Sequence, residues 1–447
     1  MYHSADMTDP NQLSASEEQL PQPSRPLPPS PPQYHQDLLH YLKTQETELW
    51  KWFSSQKARE ESSKTVHLEL LKTTYRLDHD SAADIYAVAQ EAAEIMGLSS
   101  SITLYQAQHA TGLNASLAWL PNEAHIVFHG PVRETLQSDE LQALLVHELA
   151  HHELLTIENG DYLVVEHILQ AMMADQAADT PHVRTWRSHR LWTELFCDRR
   201  AVDVTQQPDA CICALVKMET GLKDVSAASY LDQANEILAD GQIVMGSEGI
   251  THPEMFMRAR AVQLWDDDPL AADVAIHEMI HGPLQLKTLD LMQQQELRML
   301  TEQFVRTFLQ PKWLQTELML GHAHRFLDTK GVVAKSSVAK LLTLTTHTEQ
   351  SDTSDESFAE RLVLPLQKCD VQLKDFFCYV LLDFVTCDPD LEEFPLGAAF
   401  LFCGRVGLLD EFRSLVATEL RLGKRALQKA EQNAEQMVRH AEQELAR

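Results

Sequence analysis

Three histidines and two glutamates interrupt an apolar run, "LQALLVHELAHHELL", at residues 141–155. Titratable groups on an apolar helix need partners that offset their desolvation. Residues four apart share one helix face, with Cβ atoms about 5–6 Å apart, so His147 and His151 can grip one ion. Glu148 points about 100° round the helix, which suits it to a water on that ion better than to the ion itself. This is the division of labour of H-E-x-x-H in zinc peptidases. Zinc lowers the pKa of its bound water from about 15.7 towards 7, and the glutamate takes the proton as the water attacks a carbonyl carbon.

The motif alone is weak evidence. With 21 histidines, a random H-E-x-x-H is expected in roughly one such chain in ten. A second copy, "HEMIH", supplies His277, Glu278 and His281. Gly282 and Pro283 stop its helix, and a metzincin continuation would need Gly at Leu284 and His at Lys287. These histidines are therefore read as the surface end of a helix. The first copy has context in "RLWTELFCDRRAVDV" (190–204), where Glu194 and Asp198 stand four apart. Glu194 can complete a His/His/Glu set for one zinc per chain, and Asp198 can accept a hydrogen bond from a ligand imidazole.

Residues 1–35 are rich in Pro, Ser and Gln and read as a disordered tail; Arg25, Pro28 and Pro31 fit an R-x-x-P-x-x-P pattern there but are taken as spacer. Helical patterns follow to about Leu98, with Gly97 as a C-cap. Short β runs come next at 102–108, 115–120 and 125–130, the last two joined as a hairpin. Ser138 is the expected N-cap of the motif helix. The expected fold is α+β and mostly helical: a metallopeptidase domain with a small sheet at 36–265, then an all-α domain at 266–423 after the "WDDDPL" break. The charged stretch 424–447 reads as a solvated helix or frayed tail.

A net charge of −29 argues against nucleic-acid and anionic-lipid partners. No apolar run approaches the roughly 20 residues of a membrane span, and the N-terminus lacks a signal-peptide pattern. Seven cysteines without a CxxC pair fit reduced thiols, so a cytoplasmic location is expected.

These features together resemble the HtpX-like gluzincins, a family that includes the CAAX prenyl proteases and soluble periplasmic barrel-assembly proteases. The resemblance rests on Asn114-Ala115 before the hairpin, "DELQALLVHELAHH", Glu194 and Asp198, and "THPEMFMR" with His252, Pro253 and Arg258. It covers about residues 65–265. It implies a zincin-like fold, zinc ligands His147, His151 and Glu194, and Glu148 as general base. It further implies an edge strand near Asn114 that pairs with extended peptide, His252 as an oxyanion or substrate contact, and Arg258 as an ion-pair partner. The chain departs from the family in lacking membrane helices or an export signal. It also carries Cys197 where alanine is usual, read as a tolerated small hydrophobe.

The remaining polar residues read as structural. His152 is expected on the helix surface, His125 and His129 on a solvent-facing strand face, and Cys211 and Cys213 as buried thiols. Asp388, Asp390, Glu392 and Glu393, in a segment faintly similar to TerB-like modules, read as a solvated loop with helix N-cap charges rather than an oxygen-ligand cation site. The expected activity is hydrolysis of unfolded or extended protein substrates. The rival reading is a catalytically silent zinc scaffold, or a stress or metal sensor working through a protein partner of its C-terminal helices.

Overall fold

The computed structural model describes residues 30–108, 112–120, 122–174, 180–239, 255–327 and 355–444. The fold is α+β and mostly helical. Four strands, β1 (Thr74–Arg76), β2 (Ser101–Ala107), β3 (Asn114–Leu120) and β4 (Glu123–His129), form one sheet in the order β1-β2-β4-β3. β2 and β4 are parallel, while β3–β4 and β1–β2 are antiparallel. Only β1 lacks a sequence signal, because three residues are too few to show alternation. The hairpin leaves β3 at the sheet edge, with Ala115 opposite Phe128.

Period-two alternation gives the sheet two apolar faces. Leu104, Ala124, Ile126 and Phe128 enter the main core, whereas Tyr105 and Val127 meet Leu70 of the helix Gln56–Thr73. At the end of β4 the chain needs a glycine. Gly130 has φ +69°, and a Cβ there would lie 2.4 Å from the Gly112 carbonyl oxygen.

The motif helix runs Ser138–Thr156. Its cap is one residue earlier than expected: Gln137 and Glu140 form a reciprocal capping box, with Glu140 accepting from the Gln137 backbone N–H at 2.8 Å. The helix packs against β3 and β4, and against the helices Ala83–Met96, Asp161–Ala174, Thr180–Thr205 and Pro208–Thr220. An interior helix has no solvent face, which is why its sequence lacks an amphipathic stripe. Its charges are matched inside the core. Arg200, fully buried, gives two hydrogen bonds to Glu153 at 2.9 and 3.1 Å. Lys217 pairs with Glu140 at 2.7 Å.

The helix Met255–Asp267 packs on Thr180–Thr205 through Leu191, Leu195, Met257, Ala261 and Trp265. The next helix, Pro269–His281, joins this cluster with Ala272 and Ile276, although it follows the composition break. A second core begins at Leu284 and gathers the later helices around Phe304, Phe377, Phe384 and Phe412. The charged C-terminal stretch is not a freely solvated helix. Helices Lys424–Gln432 and Ala434–Glu444 bury Leu427, Ala434 and Ala441 in that core, and the second of them lies close against Gly397 through Ala434 and Met437. Asp388 caps a turn, accepting from the Asp390 N–H at 3.0 Å, but it is buried rather than solvated and also accepts from Thr316 Oγ1 at 2.6 Å. The tail 1–29 lies outside the described residues, and a helix starts at Gln33, inside the stretch expected to be disordered, with Tyr34 and His35 buried.

Breaking a buried ion pair costs about 3–5 kcal/mol, whereas replacing both partners with apolar groups costs far less. Glu153→Leu is expected to lower the unfolding free energy by about that amount in a denaturant titration. The double change Glu153→Leu with Arg200→Met should recover most of it. A double variant as unstable as the single one would contradict this role for the pair.

Candidate metal centre

The motif helix Ser138–Thr156 and the helix Thr180–Thr205 lie side by side, and this packing brings the two sequence segments together. His147 and His151 project from one face with ring centroids 5.0 Å apart and planes at 80°. Glu194 stands between them. Its Oε2 is 3.3 Å from His147 Nε2, and its Oε1 is 3.9 Å from His151 Nε2. Asp198, one turn on, lies 2.9 Å from His147 Nδ1. Arg258, from Met255–Asp267, donates to both Asp198 oxygens at 2.6 and 2.7 Å and reaches Glu194 Oε2 at 3.1 Å.

The donor set fits a small divalent ion. Tetrahedral ligands about 2.0–2.1 Å from zinc stand roughly 3.3 Å from one another, close to the spacings around Glu194. The Nδ1–H of His147 is held by Asp198, so Nε2, which faces Glu194, is the nitrogen that would give up its proton to an ion. Charge points the same way. Burial disfavours a charged His147, yet hydrogen bonds to Asp198 and Glu194 hold its pKa at about 10, so the pocket stabilises a cation where the ion would sit. Burial pushes His151 down to about 4, keeping it a neutral donor. Burial also opposes the charge on Glu194, but Arg258 and the two imidazoles hold its carboxyl well below the usual range.

Cys197 is the other ligand type at hand. His147, His151 and Cys197 each present a ligand atom within 4.8 Å of the others. Burial, with the nearby carboxylates of Glu194, Asp198 and Glu148, pushes its thiol well above the ordinary range. A metal binds the thiolate, so Glu194, already anionic, is the readier third donor.

Glu148 is buried beside this cluster. Desolvation raises its pKa to about 7; Glu194 adds to the rise, whereas His147, Arg258 and a backbone hydrogen bond from Leu117 oppose it. Leu117 belongs to β3, which packs on the motif helix and shares its cleft with Glu148. A cleft of about 1120 Å³ runs along β3, lined by residues Asn114 to Trp119, and takes in His147, Glu148, His151, Glu194 and Arg258. Asn114 accepts from the Ala115 N–H at 2.9 Å, and Ala115 is buried. His252 and Pro253 lie outside the described residues.

Several histidines sit differently from expectation. His152 is buried, not on the surface, and meets Ser100 Oγ at 2.7 Å, because the helix is covered on that side too. His125 faces Tyr105 and Glu123 rather than solvent, at 3.2 and 2.8 Å, and His129 bonds Ser116 at 3.1 Å. The second motif copy ends its helix as expected. His281 accepts from the Trp192 indole N–H at 3.1 Å, which uses one of its lone pairs, and His277 is exposed. Sequence reasoning missed His35, Thr193 and His189, which line the cleft from a helix that reads as tail and from the turn before Glu194. Nothing in their spacing marks them, since they meet only through helix packing.

Among curated proteins, the chain is similar to plastoglobule-localized metallopeptidase 48, a chloroplastic protein of Arabidopsis thaliana. The two are 28% identical over 218 residues, 44% of this chain. The chain spans 61% of that relative's length. No protein-family model matches the chain, and no solved structure matches it. No helix among the described residues is long and apolar enough to cross a membrane.

Metal content offers a direct check. Protein purified with zinc present is expected to hold about one ion per chain, and His147→Ala and Glu194→Ala to lose most of it, as losing one of three ligands typically does. Cys197→Ala should keep it, measured by elemental analysis after gel filtration. Zinc lost in Cys197→Ala and kept in Glu194→Ala would assign the third ligand to sulfur.

Proposed function

We propose that the chain is a zinc metalloendopeptidase of the HtpX-like kind, acting on extended segments of protein substrates. The observation that carries this reading is the single cleft lined by Glu148, by the His147/His151/Glu194 cluster and by the edge strand β3. The name of the chloroplastic relative supports a metallopeptidase role in general terms.

The roles of the side chains follow from where they stand. His147, His151 and Glu194 would hold the ion, which when bound supplies Lewis acidity towards water and a substrate carbonyl. Asp198 and Arg258 position the ligands: Asp198 fixes the His147 tautomer, and Arg258 ties Asp198 to Glu194. An extended peptide laid along β3 pairs with its free backbone edge, which sets the scissile bond over Glu148 without reading side chains. Glu148 takes the proton from the attacking water and delivers it to the departing amine. A pKa near 7 suits both halves of that task. The reading includes a reducing compartment such as the cytoplasm, consistent with seven free cysteines, five of them buried.

Glu148→Gln preserves shape and removes the base. Zinc content should be unchanged, while cleavage of an unfolded protein such as casein should fall by at least about 10²-fold. Wild type that holds zinc and cleaves no protein substrate would favour the silent scaffold. The pH profile gives a second check. Glu148 works as the anion, so kcat/KM should fall as pH drops through its pKa. A bound cation lowers that value further, placing the acid limb at or below about 7. Activity that rises towards pH 5 contradicts the assignment.

A further inference from the structure

Peptide hydrolysis places negative charge on the scissile carbonyl oxygen, besides moving the protons that Glu148 carries. The water oxygen bonds to the carbonyl carbon, the C=O π pair moves onto the carbonyl oxygen, and Glu148 takes the proton. The pair then returns, the C–N bond breaks, and the departing amine takes the proton from Glu148. A fixed donor aimed at that oxygen speeds both halves, because it meets the charge only as it develops.

Among the described residues, the arginines that line the cleft are Arg258 and Arg190. Arg258 is committed: it donates to both Asp198 oxygens and reaches Glu194 Oε2, and its side chain is 15% exposed. Arg190 is placed differently. It stands one turn before Glu194 on Thr180–Thr205, and 33% of its side chain is open to solvent. Its guanidinium lies over the Trp186 ring, 5.5 Å from the centroid, and comes 3.9 Å from Glu194 Oε1. That separation is too long for a hydrogen bond, so Glu194 leaves the N–H donors of the fork uncommitted. Donors open to the cleft are donors that a substrate oxygen can reach. The contact with Trp186 holds the guanidinium in place beforehand, as an effective charge stabiliser requires.

Its position decides which oxygen it meets. Arg258 flanks Glu194 Oε2, the oxygen beside His147, whereas Arg190 flanks Oε1, the oxygen on the His151 side. Neighbouring oxygens in a tetrahedral ligand set stand about 3.3 Å apart, and an N–H···O bond spans about 2.9 Å. With 3.9 Å between Arg190 and Glu194 Oε1, one substrate oxygen can satisfy both distances at once. A substrate carboxylate would arrive there already charged, against the anionic Glu194. An amide carbonyl arrives neutral and gains its charge only during reaction, so the place suits the carbonyl better.

We propose that Arg190 is a catalytic residue that donates to the scissile carbonyl oxygen as negative charge develops on it. The proposal rests on the peptidase reading, and two binding measurements separate their failures. The probes are a phosphinic peptide, whose tetrahedral anionic phosphorus group resembles the reacting carbon, and the amide peptide of the same sequence. Zinc-loaded wild type and Arg190→Gln are titrated with the phosphinic peptide by calorimetry. Zinc-loaded Glu148→Gln, with and without Arg190→Gln, is titrated with the amide peptide by fluorescence anisotropy. Arg190→Gln should weaken phosphinic binding at least about 30-fold, since removing one such donor typically costs about 10²–10³-fold in rate. It should change amide binding less than about twofold and leave zinc content unchanged, and in turnover kcat should fall with KM nearly constant. Arg190→Lys keeps the charge without the fork and should lose at least about fivefold in phosphinic binding alone, which carries the comparison if Arg190→Gln does not fold. Unchanged phosphinic binding overturns the role, as does an equal loss for both peptides, which marks a ground-state contact. Zinc lost with Arg190→Gln also overturns it and makes Arg190 a prop for Glu194. Wild type that holds zinc and binds neither peptide sinks the peptidase reading, and this role with it.

Discussion

The structure depends on keeping two imidazoles and several carboxylates dry without leaving any of them uncompensated. Burying an isolated charge costs several kcal/mol, so each such group must find an opposite charge or a hydrogen bond inside the core. The motif helix shows the consequence along its length. Glu140 is met by Lys217, His147 by Asp198, Glu153 by Arg200, and Glu194 across the groove by Arg258. Remove the polar pairs and the helix would be an ordinary core element. With them, it is a packed platform that holds ligand-type side chains close together, Glu194 lying 3.3 Å from His147 and 3.9 Å from His151.

That platform also explains why the sheet is small and why β3 is on its edge. A strand that pairs on both sides has no backbone left for a substrate, whereas an edge strand keeps a row of N–H and C=O groups free. Here the edge strand packs on the motif helix, and Leu117 and Glu148 line the same cleft. In the proposed reading, substrate alignment and base position would then both depend on how this strand packs on the motif helix. A shift of the strand would move both together, which preserves their relation better than two separate anchors would.

The C-terminal helices have their own core, yet they are tied to the peptidase-like part at named points. Tyr34 donates to Asp290 at 2.9 Å, the Leu291 N–H donates to Thr185 at 2.9 Å, and His281 stacks on Trp192, two residues before Glu194. The second H-E-x-x-H copy thus serves packing: its last histidine fills a junction between helices, where its ring stacks and its lone pair accepts from an indole. Identical short patterns have different fates because helix termini and neighbours decide what their side chains meet.

The sequence by itself determined whatever depends on local periodicity and residue chemistry. The four-residue spacings of His147 and His151 and of Glu194 and Asp198 were legible because a helix puts such pairs on one face. The strands and the Gly97 cap were legible because alternation and positive φ leave marks in composition. Tertiary structure alone decided which helices lie together. It buried His152, His125 and Asp388, docked the charged C-terminal helices, and set His35 against His189 across more than a hundred residues of chain. Packing between distant segments leaves no short-range pattern: the free energy that favours it belongs to pairs of surfaces, and a single segment displays only its own half.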